Sequence, residues 1–349
     1  MRRDAVESVG KSVIMNVVLV AVLPGALHMP LSRRHVLGAA IATSSAPVLA
    51  ESTGPEFWAG RLQGAAPPQP RVVLRDSPPF VILPGFGNDA IDYMEPNGQP
   101  RTVSLSAALE RRGASNVAVV PIERSQWVNV ARGLGDLDFF RGNAQPEGPT
   151  YRWYLESAKT TVESTVAARR AAQEAGDKDP RVVLIGHSAG GWLARALCVC
   201  EGDEWAQRHV RGIVTLGAPH GSPPEGADQT RGTIVNINKR APGAYLSKGG
   251  GIFYVTVSSE KVVGDADGSP AQKNAFTAYS LVLGRGKGVA GDGFVPIEAA
   301  FLDGAEHLKL DCYHSGGAND PWPLDDWYGA ERNVDAWLGC VADCLAKQA

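Results

Sequence analysis

Short apolar, β-branched runs alternate along the chain with longer segments of mixed helical character. The runs are FVILPG (80–85), NVAVVP (116–121), RVVLIG (181–186), RGIVTLG (211–217), GIFYVTVSS (251–259) and HLKLDC (307–312). Most are apolar at successive positions rather than at every second one, the pattern of strands covered on both faces. The intervening segments 103–113, 151–175 and 189–200 have the length and composition of crossover helices, which parallel strands require. At the C-terminus, Val334, Trp337, Leu338, Val341 and Leu345 recur on one side of a helix expected over 333–347. This alternation predicts a mostly parallel central sheet with helices on both faces. No repeat of 20 to 50 residues is evident, which argues against a solenoid or propeller.

Composition sharpens that picture. The chain has 349 residues, 44% hydrophobic and 20% charged, so a sizeable core is available. Its formal net charge is −3 and no basic block outside the N-terminus resembles a nucleic-acid footprint, so nucleic acid is not an expected partner. The first 50 residues differ in kind. Residues 13–27, VIMNVVLVAVLPGAL, are too short for a comfortable transmembrane helix and fit a signal-peptide core. Ser32-Arg33-Arg34-His35-Val36-Leu37 then leads into a milder apolar run ending Val48-Leu49-Ala50, in the manner of a twin-arginine signal cleaved near Glu51. Two stacked signals resemble the nested presequences of plastid proteins bound for the thylakoid lumen, with export by a twin-arginine route as the alternative. The expected organisation is a presequence over 1–50, a Pro-rich linker over 51–70 and a folded domain over 71–349.

The chemistry concentrates in Gly186-His187-Ser188-Ala189-Gly190. A Gly-x-Ser-x-Gly string is weak by itself, but here it follows an apolar strand and precedes a good helix former, the context of a nucleophile elbow. Such a turn strains the serine backbone so that its hydroxyl projects, and its neighbours must be small. The N–H of Ala189, at the new helix's N-terminus, is then one donor for an oxyanion. The strand ending Leu83-Pro84-Gly85-Phe86-Gly87, about 100 residues earlier, is placed to supply the second through Phe86.

A serine nucleophile needs a base, and the base needs an acid to orient it. In this architecture the order is serine, acid, histidine. His314 lies just past the end of the last strand and His307 at its start, and catalytic groups gather at the carboxyl ends of parallel strands, so His314 is the expected base. Asp292, in the tight turn Gly291-Asp292-Gly293-Phe294-Val295-Pro296, is preferred as the acid over Asp265 and Asp267. His209 reads as a surface residue, and His220, after the strand that follows the nucleophile, as pocket-lining or structural. The five cysteines lack zinc-finger spacing, so buried or half-buried free thiols are expected, and neither a metal nor a cofactor is called for.

GHSAGGWLARA, TLGAPHGSP, GDGFVP and LDCYHS, with the later WYG and a final helix, resemble the lipase-like α/β-hydrolases of plants and cyanobacteria, related to GPI-inositol deacylase-type lipases. The resemblance runs from about Pro79 to Leu338. It implies an α/β-hydrolase fold and Ser188, Asp292 and His314 as the triad. Trp127 and Trp153 fall in segments similar to that family's surroundings of the active site, where they would line a substrate pocket or pack in the core. Residues 261–291, a Gly-rich excursion, depart from the family. The expected activity is hydrolysis of a lipid-like carboxylic ester through an acyl-enzyme, with peripheral membrane contact as a route to substrate. An acyltransferase with the same triad, or a silent binding protein on the same fold, are the alternatives. Oligomeric state is not legible.

Overall fold

The computed structural model describes residues 70–75, 78–172, 179–224, 228–316 and 322–348. The chain divides into two units, Met1–Ala65 and Ala66–Ala349, and all the described residues lie in the second. The expected presequence, its cleavage point and nearly all of the expected linker lie outside them.

Six strands form one sheet: β1 (Pro79–Leu83), β2 (Asn116–Val119), β3 (Val182–His187), β4 (Val210–Leu216), β5 (Phe253–Ser259) and, after a separate pair described below, β8 (Glu306–Leu310). Their order is β2-β1-β3-β4-β5-β8, and every pairing is parallel. The four inner strands are buried almost throughout, while β2 and β8 at the edges are only partly so, which is why the inner ones read as continuous apolar runs.

Helices cover both faces. In chain order they are α1 (Leu105–Arg111), α2 (Leu137–Phe140), α3 (Arg152–Ala171), α4 (Ala189–Glu201), α5 (Asp203–His209), α6 (Thr233–Arg240), α7 (Pro270–Leu283), α8 (Ile297–Ala300) and α9 (Glu331–Lys347). Phe80, Ile82, Val183, Ile185, Val214, Leu216, Val255 and Val257 form one continuous core with Leu105 and Leu109 of α1 and with Val334, Trp337, Leu338 and Val341 of α9. The alternate strand residues, including Val81, Leu184 and Ile213, are equally buried and face the opposite side, where α3 and α4 pack. Buried Arg112 ties the two helices of the first face together by pairing with Glu331 and Asp335, each at 2.7 Å. This is an α/β-hydrolase fold, the architecture expected from the sequence.

The excursion at 261–291 is more ordered than its glycines suggest. It contains α7, entered through a capping box in which Ser269 accepts from the Gln272 amide, and left through Gly284 in the left-handed region. β6 (Val262–Val263) and β7 (Ala290–Gly291) pair antiparallel at its base. Val262, Ala275, Tyr279, Val289 and Trp322 close a small second core there. The glycines serve as caps and turns around a helix, and the excursion ends at Asp292.

Leu184 is fully buried at the centre of β3, whereas Leu137 is 70% exposed. Leu184→Ala is expected to cost about 3 kcal/mol in urea unfolding and Leu137→Ala under about 1 kcal/mol. Equal losses would contradict this placement of the core.

Candidate active site

Ser188 follows directly on β3 and precedes α4, with backbone angles φ 52° and ψ −126°. A non-glycine residue with positive φ is strained, and such strain persists only where the surroundings impose it. Here the Ser188 N–H donates to the Leu216 carbonyl at 2.9 Å, and its own carbonyl accepts from Gly191 at 3.0 Å. The turn is also crowded. A side chain at Gly186 would collide with Gly190 and Gly191, and one at Gly190 with the Leu83 carbonyl. A Cβ at Gly85 would lie 2.7 Å from the Ser188 Cβ, so the loop after β1 passes directly beside the serine. Phe86, the expected second oxyanion donor, is the next residue in that loop. Ala189 is the first residue of α4, so its N–H has no intrahelical acceptor.

Asp292 and His314 meet. His314 Nδ1 lies 2.8 Å from Asp292 Oδ2, and the His314 backbone N–H donates to the Asp292 carbonyl at 2.9 Å. Both side chains are buried, Asp292 completely. The carboxylate is well supplied with donors: Oδ1 accepts from the Phe294 and Val295 amides at 2.9 and 2.7 Å, and Oδ2 also accepts from Tyr328 Oη at 2.9 Å. Burial by itself would raise this carboxyl, but the charge and hydrogen bond of His314 and the two amides outweigh it, holding the group below its ordinary 3.8. An ionised Asp292 can only accept, so Nδ1 of His314 carries the proton and Nε2 is left as the basic nitrogen. Asp265 starts the turn toward Gly268 instead, its side chain accepting from Asp267 at 3.0 Å, and it takes no part in the pair.

His187, beside the serine, joins these parts. Its Nε2 is 2.9 Å from the His314 carbonyl, and the two rings pack at 4.9 Å. Its Nδ1 is 2.8 Å from Tyr93 Oη, which also accepts from the Gly85 amide at 3.1 Å. Gly217, with φ 57°, brings bare backbone up to the pair. A Cβ there would lie 2.5 Å from Asp292 Oδ2 and 3.0 Å from His314 Nδ1. The ends of β1, β3 and β4 and the two later loops thus converge on one point.

The remaining expected residues sort themselves by burial. Trp127 has no exposed surface. It packs on Phe86 at 4.9 Å and donates through Nε1 to the Asn88 carbonyl at 2.9 Å, so it is a core aromatic that props the loop after β1. Trp153 is half-buried and packs edge-on against Trp127 at 5.4 Å. His220 is 2% exposed and bonded through Nε2 to Thr215 Oγ1 at 3.1 Å. Burial and this bond are what the structure gives for His220, whose expected place was pocket-lining or structural. All five cysteines are free thiols. Residues missed in the sequence are Tyr93, His187, Tyr328 and Phe294. Phe294 is 37% exposed with its ring 5.3 Å from that of His314. His187, Phe294 and Tyr328 lie inside the segments GHSAGGWLARA, GDGFVP and WYG, but nothing local singles out Tyr93.

A family model described as a PGAP1-like alpha/beta domain matches residues 149–257, which include Ser188 but neither Asp292 nor His314. That span is narrower than Pro79–Leu338, and nothing matched bears on a plant or cyanobacterial source. No curated protein matches the chain. Among solved structures, the chain is similar to the Bacillus licheniformis lipase BlEst2 in its mature form, at 13% identity and TM-score 0.42, covering 79% of this chain and 96% of that one. It is also similar to the metagenomic carboxyl esterase MGS0156, at 13% identity and TM-score 0.44, covering 80% and 79%. The carboxylesterase Cest-2923 from Lactobacillus plantarum matches at 13% identity and TM-score 0.40, covering 79% and 86%.

Two buried histidines make stability depend on pH. Burial, and then the neighbouring His314, push His187 down from 6.5 to about 3, while burial and Arg195 push His220 well below 6.5. Both stay neutral when folded, but the unfolded chain takes up protons below pH 6.5. Their contribution is therefore complete above 6.5 and is lost as pH falls from there toward about 3. Urea unfolding is expected to lose about 3 kcal/mol between roughly pH 6.5 and 5, the slope per ring rising from about 0.7 kcal/mol per pH unit at 6.5 to about 1.4 at 5. A stability unchanged across that interval would contradict neutral buried rings.

Proposed function

We propose that this protein is a serine hydrolase that cleaves a carboxylic ester, lipid-like in its acyl or alcohol part, through an acyl-enzyme. What supports the reading most is the 2.8 Å contact between His314 and an entirely buried Asp292, beside a serine held at φ 52° on a strand-to-helix turn. An ordinary Gly-Ser turn has no use for such a pair.

In this mechanism Ser188 Oγ attacks the ester carbonyl and passes its proton to Nε2 of His314. Asp292 keeps the imidazole in the right tautomer and offsets the charge of the imidazolium that forms. The amides of Phe86 and Ala189 receive the oxyanion, the second aided by the positive end of α4. Collapse of the tetrahedral intermediate expels the alcohol, which takes the proton back from His314. Water then repeats the sequence on the acyl-enzyme and releases the acid.

An apolar surface suits a greasy substrate. Val128, Leu134, Leu137 and Phe140 are exposed along a segment following the loop of Phe86, with the exposed cations Arg132 and Arg141 among them. This segment, in which Arg141 also pairs with Asp138, is our candidate for peripheral contact with a lipid surface. Among the described residues no helix is long and apolar enough to cross a membrane. Delivery to a plastid, or export by a twin-arginine route, stays a proposal carried by residues 1–50.

A nitrophenyl acyl ester should give a burst of nitrophenol followed by slower turnover. Ser188→Ala should abolish the burst, and Asp292→Asn, by permitting the wrong histidine tautomer, should lower kcat by about 10⁴-fold. Full turnover in Ser188→Ala would overturn the assignment.

A further inference from the structure

His187 does more than fill the second position of the pentapeptide. A backbone carbonyl can only accept, so the 2.9 Å contact with the His314 carbonyl puts the ring proton on Nε2 of His187. Nδ1 is then an acceptor, and the 2.8 Å contact with Tyr93 must be donated by the tyrosine hydroxyl. With its proton so committed, Tyr93 Oη accepts the Gly85 N–H at 3.1 Å. The three bonds run in one direction: Gly85 N–H to Tyr93, Tyr93 O–H to His187, His187 N–H to the His314 carbonyl. Tyr93 and His187 are each 1% exposed, and Trp327 packs edge-on against both rings, at 6.2 and 5.5 Å. Water is thereby kept from competing for the bonds.

We propose that Tyr93 and His187 are positioning residues of the hydrolase described above. Their relay fixes the loop that carries the Phe86 amide and the loop that carries the His314 imidazole to the residue immediately before the nucleophile. The inference rests on the hydrolytic reading of the site. Three groups must hold their relative places to within a fraction of an ångström, yet they come from loops more than 200 residues apart in the chain. The acceptor-only His314 carbonyl sets the tautomer of His187 as Asp292 sets that of His314, and Tyr93 supplies the donor that the remaining Nδ1 lone pair requires. Without the tyrosine hydroxyl, Nδ1 of His187 and the Gly85 N–H both lose their partner, and only the bond to the His314 carbonyl still holds the ring. Burial and the adjacent His314 hold His187 neutral, down to about 3, so the polarity of the relay persists across the working range of an esterase.

The relay is tested with nitrophenyl ester kinetics and with ¹⁵N spectra of the imidazoles. Tyr93→Phe is expected to lower kcat by about 10- to 100-fold while KM stays within about threefold, because misplacement harms the reacting geometry more than ground-state binding. His187→Leu should fall at least as far. His187→Gln, whose amide offers an acceptor and a donor at similar separation, should recover to within about tenfold of wild type. A merely structural role would instead rank the variants by their melting midpoints. In wild type the His187 ring should appear as the Nε2–H tautomer and remain uncharged below pH 6.5, and in Tyr93→Phe the proton should stay on Nε2 while the Nδ1 signal moves toward that of an acceptor with no donor. Turnover that requires Ser188 but is indifferent to Tyr93→Phe overturns the relay and leaves the hydrolase standing. A wild-type protein with no esterase burst overturns the hydrolase, and the spectra then judge the relay alone: an Nδ1–H tautomer, or titration near 6.5, sinks it.

Discussion

The close approach of three strand ends around the strained backbone of Ser188 is the constraint on which the rest of the site depends. A residue at φ 52° and ψ −126° costs on the order of 1–3 kcal/mol, and the surrounding sheet supplies the compensation. β3 ends beside β1 and β4, and the Ser188 amide is tied to Leu216 at the end of β4. Gly186 and Gly190 are needed because any side chain there would strike backbone, and Gly85 because its Cα abuts the serine. The same geometry that strains the turn directs α4 away from it with its N-terminus at the serine. Sheet order, glycine placement and the position of the Phe86 and Ala189 amides are therefore one fact rather than three.

The second layer is electrostatic. A carboxylate with no exposed surface would ordinarily be too costly to leave charged. Asp292 stays charged because two backbone amides, the Tyr328 hydroxyl and the His314 ring surround it with donors. The tight turn after β7 supplies the amides, the loop after β8 the histidine, and the segment before α9 the tyrosine. The ordered excursion around α7 delivers Asp292 to this spot, and Tyr279 on that helix accepts the Gly293 N–H at 2.9 Å and donates to the Val262 carbonyl at 3.0 Å. A loop that looks dispensable by composition is thus tied to the acid.

Much of this was legible in the chain, for identifiable reasons. Buried parallel strands leave continuous apolar runs, so all six strands of the sheet and the helices at 105–111, 152–171, 189–201 and 331–347 were anticipated to within a few residues. The Asp292–His314 contact was legible because an acid and a base had to follow the serine at strand ends, and few candidates met that demand. Helix α7 was obscured by glycines that turned out to be its turns and caps. Tyr93 and the partners of His187 were not legible, since a hydrogen bond spanning 94 residues leaves no local periodicity. That Trp127 and His220 are buried was not legible either, since their neighbours come from distant segments of the chain.

The central claim is that Ser188 is activated by its surroundings rather than merely displayed on a turn. Reaction of the folded protein with a fluorophosphonate, followed by peptide mass mapping, tests it most directly. One adduct per chain, on the peptide containing Ser188, absent after denaturation and strongly slowed in His314→Asn, is the result expected. A folded protein that leaves Ser188 unmodified, or that is modified at another serine, would contradict it.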